Sequence, residues 1–435
     1  MDLPIKRVEP NAPFDEQSPV SQLLNSTSTP DVQYPQSKFR FLPHYRELRC
    51  LTRDGGEKGA NDLFFIDFDG VNGHHAEHQG QQLVNFCSYN YLDMCGDKRV
   101  SQAAQAAIDQ YGTTVSASRM VSGERPFHRE LELAIADFVG TEDAIAFVSG
   151  FSTNEDTIGH LMNQDDLIFH DRYIHKSAQM GAALSGATAI PFKHNDLDDL
   201  ENVLQRHRLS GKNALIIVEG VYSMDGDIPD LRRLVDIKKR YGALLMVDEA
   251  HSLGVLGKTG RGLAEQFGVD PRDIDILMGT LSKSLASCGG YIAASTELVE
   301  YLRVTAPGFV YSVGLAPPLA VAALKSVELI DKEPQRVTQL NDRVKYFHEL
   351  AGRFDFDISN ANPNSAVLPV LVGSRRRAIA LSRHLHREGI IAMPIGYPAV
   401  EMNKARIRFF INCNHTEQDI LRTVEVTAEF LSCST

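Results

Sequence analysis

The stretch GTLSKSLASCGGY, residues 279–291, sets a single lysine, Lys283, among small and hydroxyl side chains. It follows an apolar run, Ile274 to Met278, closed by Gly279, and it leads into GGYIAAS. Both flanks read as short buried strands. A lysine at a strand end, packed by small residues, is poorly solvated. Desolvation disfavours the ammonium and makes a neutral, nucleophilic amine accessible. Such an amine suits a Schiff base with an aldehyde. The alternative is an ordinary surface lysine. What decides between them is whether the rest of the chain provides for an aldehyde cofactor.

Upstream, the same rhythm repeats. DAIAFVS, LIFH, TAIPFK, NALIIVEG and GALLMVDEA are apolar and short, and amphipathic stretches such as DLDDLENVLQRH and DLRRLVDIKKR separate most of them. Near-continuous apolar strands divided by helices predict an α/β fold with a mostly parallel sheet covered on both faces. PFHRELELAIADFVG opens on Pro and closes on Gly, as a helix does. After residue 315 the rhythm changes. A long helical segment, PPLAVAALKSVELIDKEPQRVTQLNDRVKYFHELAG, leads into AVLPVLVG, the helix RRAIALSRHLHREG and ARIRFFIN, a pattern for a smaller α+β domain.

Before residue 98, LFFIDFDG and QQLVNFCSY read as a β-hairpin, with VNGHHAEHQGQ as its solvated tip. No Cys or carboxylate completes a ligand set around these histidines, so no metal site is expected. Residues 1–37 are rich in Pro, Ser, Gln and Asn and predict a flexible arm, with PVSQLLN as a short helical patch. The expected organisation is thus an arm (1–37), a segment with a hairpin (38–97), a large domain (98–315) and a small C-terminal domain (316–435).

The 435 residues carry a net charge of −12, with 43% hydrophobic and 23% charged side chains. That is ordinary globular composition, and the acidic balance argues against nucleic-acid or anionic-membrane partners. No apolar run is long enough for a membrane span, and the N-terminus lacks the apolar core of a signal peptide. Six scattered cysteines form no CxxC pair, which fits a cytoplasmic protein without a disulfide framework.

Candidate functional residues fall at strand ends. Asp248 ends ALLMV and is followed by His251 and a Gly-rich turn at Gly254 and Gly257; a buried carboxylate there needs a cationic partner. After the strand ending at Val148, Ser149 and Gly150 open a helix whose free N–H groups suit a phosphate. His175 starts a helix of small residues. VEGVYSMDGDIPDL ends a strand at Glu219 and turns through Ser223, Asp225 and Asp227; a turn rich in Asp and Gly explains the last two better than a metal does. A lysine for an aldehyde, an Asp for a protonated ring nitrogen, a helix start for a phosphate and a His to cover a flat ring together match pyridoxal phosphate.

The motifs NFCSYNYLDM, FVSGFSTN, HDRYIHKS, EGVYSMDGDIPDL, VDEAHSLGVLGKTGRG, GTLSKSLASCGGY and ARIRFFINCNHT resemble, in that order, those of the α-oxoamine synthases. The resemblance spans about residues 80–430. It implies the fold-type I architecture of pyridoxal-phosphate enzymes, with a seven-stranded, mostly parallel sheet. It implies that Lys283 carries the cofactor and moves the Cα proton, Asp248 pairs with the pyridinium nitrogen, and His175 stacks on the ring. His251 and Ser223 would lie near the phenolic oxygen. Ser149, Gly150, Phe151, Thr280 and Ser282 would hold the phosphate. Ser312, in a loop that reaches a neighbouring subunit in the family, would assist in a homodimer. Arg408 would grip the amino-acid carboxylate, a bidentate match, with Asn90 and Tyr91 as further substrate contacts.

The implied reaction is the decarboxylative condensation of glycine, alanine or serine with an acyl thioester of coenzyme A or a carrier protein. Asp93 stands where relatives often carry Gly, Val313 where many carry Thr or Ser, and YGTTVSASRMVSGERPFHRELE has Ala and Ser at family glycines. SASRMVSGERP most resembles members associated with polyketide pathways. The rival readings are an aminotransferase or aldol lyase on the same cofactor, a non-catalytic scaffolding homologue, and a binding protein acting through the arm, which could dock a carrier protein.

Overall fold

Seven short strands make the central sheet: β3 (Asp143–Phe147), β4 (Leu167–Asp171), β5 (Thr188–Phe192), β6 (Ala214–Glu219), β7 (Leu244–Asp248), β8 (Ile276–Thr280) and β9 (Gly290–Ala294). In this computed structural model, which describes residues 63–433 with Phe39, Leu42 and Tyr45, their order is β3-β9-β8-β7-β6-β4-β5. All neighbours pair in parallel except β9, which is antiparallel to both β8 and β3. This is the expected fold-type I sheet. The predicted arm, 1–37, and its helical patch lie outside the described residues.

Alternation along each strand divides two cores. Ile145, Ile217, Met246 and Met278 point into one, and Ala146, Val218, Val247 and Leu277 into the other. Both faces are therefore covered, which is why these strands read as continuous apolar runs. Gly279, inside β8, faces Tyr291 across the β8–β9 register. A Cβ there would sit 2.2 Å from the Tyr291 ring, so the buried tyrosine demands glycine. Helices start where the chain offers a cap: Asp97, Asp196, Asp230 and Ser295 each accept a backbone N–H of the first turn. The helix Pro126–Val139 begins at Pro126 and ends at Gly140 in the left-handed conformation, as expected.

Two local expectations are corrected. The histidine cluster is not a hairpin tip. His75–His78 is strand β1, paired antiparallel with β2 (Gln81–Asn85), and the turn is Gln79-Gly80. Alternating burial of Ala76 and of Leu83 against the core makes this short pair worthwhile. The long helical segment after 315 is two helices, Pro317–Lys332 and Gln335–Arg353, broken at Pro334, whose ring cannot continue the first.

The helix Pro317–Lys332 packs on Lys98–Tyr111 and Pro126–Val139. Beyond it, β10 (Val367–Gly373), β12 (Met393–Ile395) and β13 (Ala405–Phe410) form a small antiparallel sheet, while β11 (Ile390–Ile391) extends β1 and β2. Among the described residues no helix is long and apolar enough to cross a membrane.

Candidate active site

β6, β7 and β8 end side by side, and Glu219 and Asp248 stand opposite each other in the β6–β7 register. Their carboxyl ends open into a cavity of about 450 Å³ lined by Lys283, Asp248, Glu219, His175, His251 and Arg408. That is where open α/β sheets bind ligands.

Lys283 leaves β8 in a tight loop. Leu281 N–H donates to Gly289 O, and the Ser284 hydroxyl to Leu253 O. These bonds fix the backbone on both sides of the lysine. Burial pulls its amine down to about 8, against the opposing charges of Asp248 and Glu219. A neutral fraction is therefore present at ordinary pH. Its Nζ stands 5.7 Å from the centroid of the Tyr89 ring.

Asp248 is held from two sides. Asn154 Nδ2 donates to Oδ2 at 2.8 Å, and Ala250 N–H to Oδ1 at 2.9 Å. His175 caps the helix Lys176–Ser185 by accepting the Ser177 N–H on Nδ1, which leaves Nε2 to carry the proton. Burial lowers its pKa, with the Lys283 charge acting in the same sense. His251 receives the Tyr91 hydroxyl at 2.7 Å on Nδ1, and burial holds it well below the usual histidine range, so it is neutral. Arg408 donates through Nη1 to Ser223 O at 2.8 Å, lies 4.6 Å from the Phe410 centroid, and has a buried Nε with no hydrogen-bond partner among the described residues.

The opposite wall is small and polar. Ser149 caps the helix Gly150–Leu161. Thr280 and Ser282 share a hydroxyl contact of 2.7 Å, and a Cβ on Gly150 would meet Thr280 Oγ1 at 2.6 Å. Ser149, Gly150, Phe151, Thr280, Ser282 and Ser223 all line the cavity.

Three predicted residues are not in this lining. Asn90 is buried, donates to Asp93 Oδ1 and accepts the Cys95 N–H, so its amide is committed to local structure. Tyr91 is fully buried and supports His251 from behind. From this segment it is Tyr89 that reaches the cavity. Ser312 lies outside it, beside the exposed Tyr311 and Val313. Asp93 adopts φ +55°, the left-handed region that suits glycine. It is held there by bonds from Asn90 and Asn414, which accounts for the departure at this position.

Sequence reading gave no role to Glu219, Asn154 or Tyr89. Glu219 was visible only as a strand end, because its importance comes from standing opposite Asp248. Burial, then the neighbouring Asp248 charge, holds its pKa well above the usual carboxyl range, and its Oε1 has no partner among the described residues.

The profile of the aminotransferase class I and II family matches residues 81–426. A putative 8-amino-7-oxononanoate synthase of Gloeothece citriformis is 42% identical over 337 residues, covering 78% of this chain and 87% of that protein. The 8-amino-7-oxononanoate synthase of Geobacter sulfurreducens is 40% identical over 352 residues, covering 80% and 89%. The serine palmitoyltransferase of S. paucimobilis, solved with a bound PLP-myriocin aldimine, superimposes with a TM-score of 0.86 at 27% identity, over 90% of this chain and 98% of its own. The chain belongs to the aminotransferase class I and II family and, within it, to the α-oxoamine synthases.

Proposed function

We propose that the protein condenses a small α-amino acid with an acyl thioester, releasing carbon dioxide and the free thiol and leaving an α-aminoketone. The observation that carries this reading is one cavity holding a lysine near neutrality, a buried aspartate and an arginine with an unfilled N–H.

The cavity fits pyridoxal phosphate. Glycine at 150 lets the helix start approach the Thr280 side chain, with which a Cβ would collide, so that Gly150, Thr280 and Ser282 line one wall together. Asp248 at the floor would pair with a protonated ring nitrogen, His175 would cover the ring, and the start of the helix Gly150–Leu161 with Thr280 and Ser282 would hold the phosphate. When bound, the cofactor supplies an electron-withdrawing ring that acidifies the Cα–H of an attached amino acid. Lys283 would hold it and, as a neutral amine, would be placed to take the Cα proton. Arg408 holds the carboxylate, which fills its free Nε–H. Neutral His251, fixed by Tyr91, offers a ring N–H to an oxygen at the mouth of the site.

A second cavity, of about 650 Å³, shares His175, Ser223 and Met224 with the first. Its wall includes Ile174, Leu371 and Val400, and its rim carries Arg172, Lys176 and Lys404. Asp225, Asp227 and Glu401 line it as well, so its charges are of both signs. Because it adjoins the first cavity at His175 and Ser223, it is where the acyl thioester, of coenzyme A or of a carrier protein, would approach. The loop around Ser312, with Tyr311 86% exposed, is assigned to a homodimer contact that brings Ser312 to the partner's phosphate. A polyketide setting rests on SASRMVSGERP alone, and a cytoplasmic one on the unpaired cysteines.

The test is exchange. Holo-protein is incubated in heavy water with glycine, alanine or serine, without thioester, and α-deuteration is followed by mass spectrometry. One of them exchanges, and adding an acyl thioester yields carbon dioxide and an aminoketone. Formation of pyridoxamine or retro-aldol products instead would favour the aminotransferase or aldol reading.

A further inference from the structure

Tyr89 is an exposed aromatic side chain inside the cavity that none of the roles above uses. Its ring stands edge-on to Phe410, with centroids 4.8 Å apart at 78°, and edge-on to His251, 6.0 Å apart at 88°. Phe410 in turn carries the Arg408 guanidinium. The ring therefore packs against Phe410, on which the carboxylate-binding Arg408 rests, and faces the lysine assigned to the proton. Its neighbour Tyr91 is fully buried and bonded to His251, so the backbone that presents Tyr89 is pinned.

The distances set a size limit. Proton transfer needs the substrate Cα about 3–3.5 Å from the lysine nitrogen. A carbon substituent packs about 3.5–4.0 Å from the atoms it touches. A carbon layer lying between an amine and a ring face therefore needs roughly 7 Å, from two such contacts. Lys283 Nζ and the Tyr89 centroid are 5.7 Å apart. No side chain passes between them. A Cα substituent can only lie beside the ring, where Phe410 and His251 already stand.

We infer that Tyr89 is the specificity-determining residue for the amino-acid donor, a steric limit that favours glycine and discriminates against other donors more strongly as the Cα substituent grows. The inference rests on the condensing activity proposed above. It predicts a size ranking rather than a polarity ranking: serine and 2-aminobutyrate, similar in bulk, are disfavoured together.

The experiment is equilibrium binding to holo-protein of glycine, alanine, serine, 2-aminobutyrate and norvaline. It is read from the cofactor's visible absorption band and from the rise in melting temperature, in wild type, Tyr89→Phe, Tyr89→Leu and Tyr89→Ala. Tyr89→Phe keeps the wild-type ranking, because the ring is kept. Tyr89→Ala improves the affinity for 2-aminobutyrate and norvaline relative to glycine by about tenfold or more, the worth of a methylene or two in a pocket. Tyr89→Leu widens the range to a smaller extent and carries the test if the alanine variant does not fold. Ratios unchanged in both Tyr89→Ala and Tyr89→Leu, or a loss confined to serine in Tyr89→Phe, would overturn the steric role while leaving the condensing activity intact. A wild-type protein that binds none of the five would overturn both.

Discussion

Two clusters of buried charge lie in the same molecule and are built in opposite ways. Around Arg119, which is 5% exposed, every edge is filled. Glu124 takes two of its N–H groups, at 2.5 and 2.8 Å, Glu132 takes two at 2.5 and 3.2 Å, and the Phe309 ring covers its face at 5.0 Å. Glu132 is filled as well, accepting the Ala146 N–H and an N–H of Arg303. Around Lys283 the same kinds of group are left unfilled. Glu219 Oε1 and Arg408 Nε have no partner among the described residues, and Lys283 is pulled toward neutrality. A saturated cluster fixes a fold, because removing any member strands a charge. An unsaturated one holds groups ready for a ligand to complete.

This contrast can be broken by mutation. The largest effect is expected at Lys283→Ala, which removes both anchor and base. The α-deuterium exchange and product formation are lost altogether rather than reduced, because the residues act as a unit; substantial exchange remaining in this variant would refute the assignment. Next comes Arg119→Met, which leaves Glu132 buried without its main partner. It should cost about 3–5 kcal/mol in urea unfolding, with the cofactor site unchanged in any protein that folds. Asp248→Asn keeps the shape but removes the charge facing the ring nitrogen. It should slow exchange on the order of 10²–10³-fold and weaken cofactor binding, while the melting temperature of the cofactor-free protein stays close to wild type.

The smallest effect, and the sharpest test of the contrast, is Glu219→Gln. Glu219 has a folded pKa raised above its ordinary 4.5 by burial and by Asp248. The folded protein therefore keeps a proton that the unfolded chain releases above that value, and Glu219 subtracts stability as pH rises past 4.5. Removing the titration leaves stability near wild type at pH 4 and makes the variant measurably more stable at pH 8. In a saturated cluster the corresponding change would destabilise at both.

Much of this was legible in the chain. Lys283, Asp248 and His175 announce themselves because each breaks a local pattern: a charge among small residues, a carboxylate closing an apolar strand, a ring at the head of a helix of small residues. The sheet was legible because both of its faces are buried, so its strands stand out as unbroken apolar runs. What escaped depends on pairing. Glu219 matters because β6 lies beside β7 in a register that sets it opposite Asp248, and no local pattern encodes that register. Asn90 and Tyr91 looked like substrate contacts because they carry polar groups in a family motif, yet the chain turns there so that Tyr89 faces the cavity and Tyr91 faces inward. The histidines at 74–78 misled for the opposite reason. Four polar residues in five suggest a tip, and only Ala76 marks the strand's buried side.

The central claim is that Lys283 sits in an unsaturated pocket that lowers its amine to about 8, so that a neutral fraction is present near physiological pH. The direct measurement is its titration in cofactor-free protein. Pyridoxal is added at a series of pH values, the adduct is trapped by borohydride, and the modification of Lys283 is quantified by peptide mass spectrometry against surface lysines of the same sample. Reaction at Lys283 should rise with a midpoint near 8, while the surface lysines rise only near their ordinary value. A Lys283 midpoint at 10.5, its ordinary value, would contradict the account.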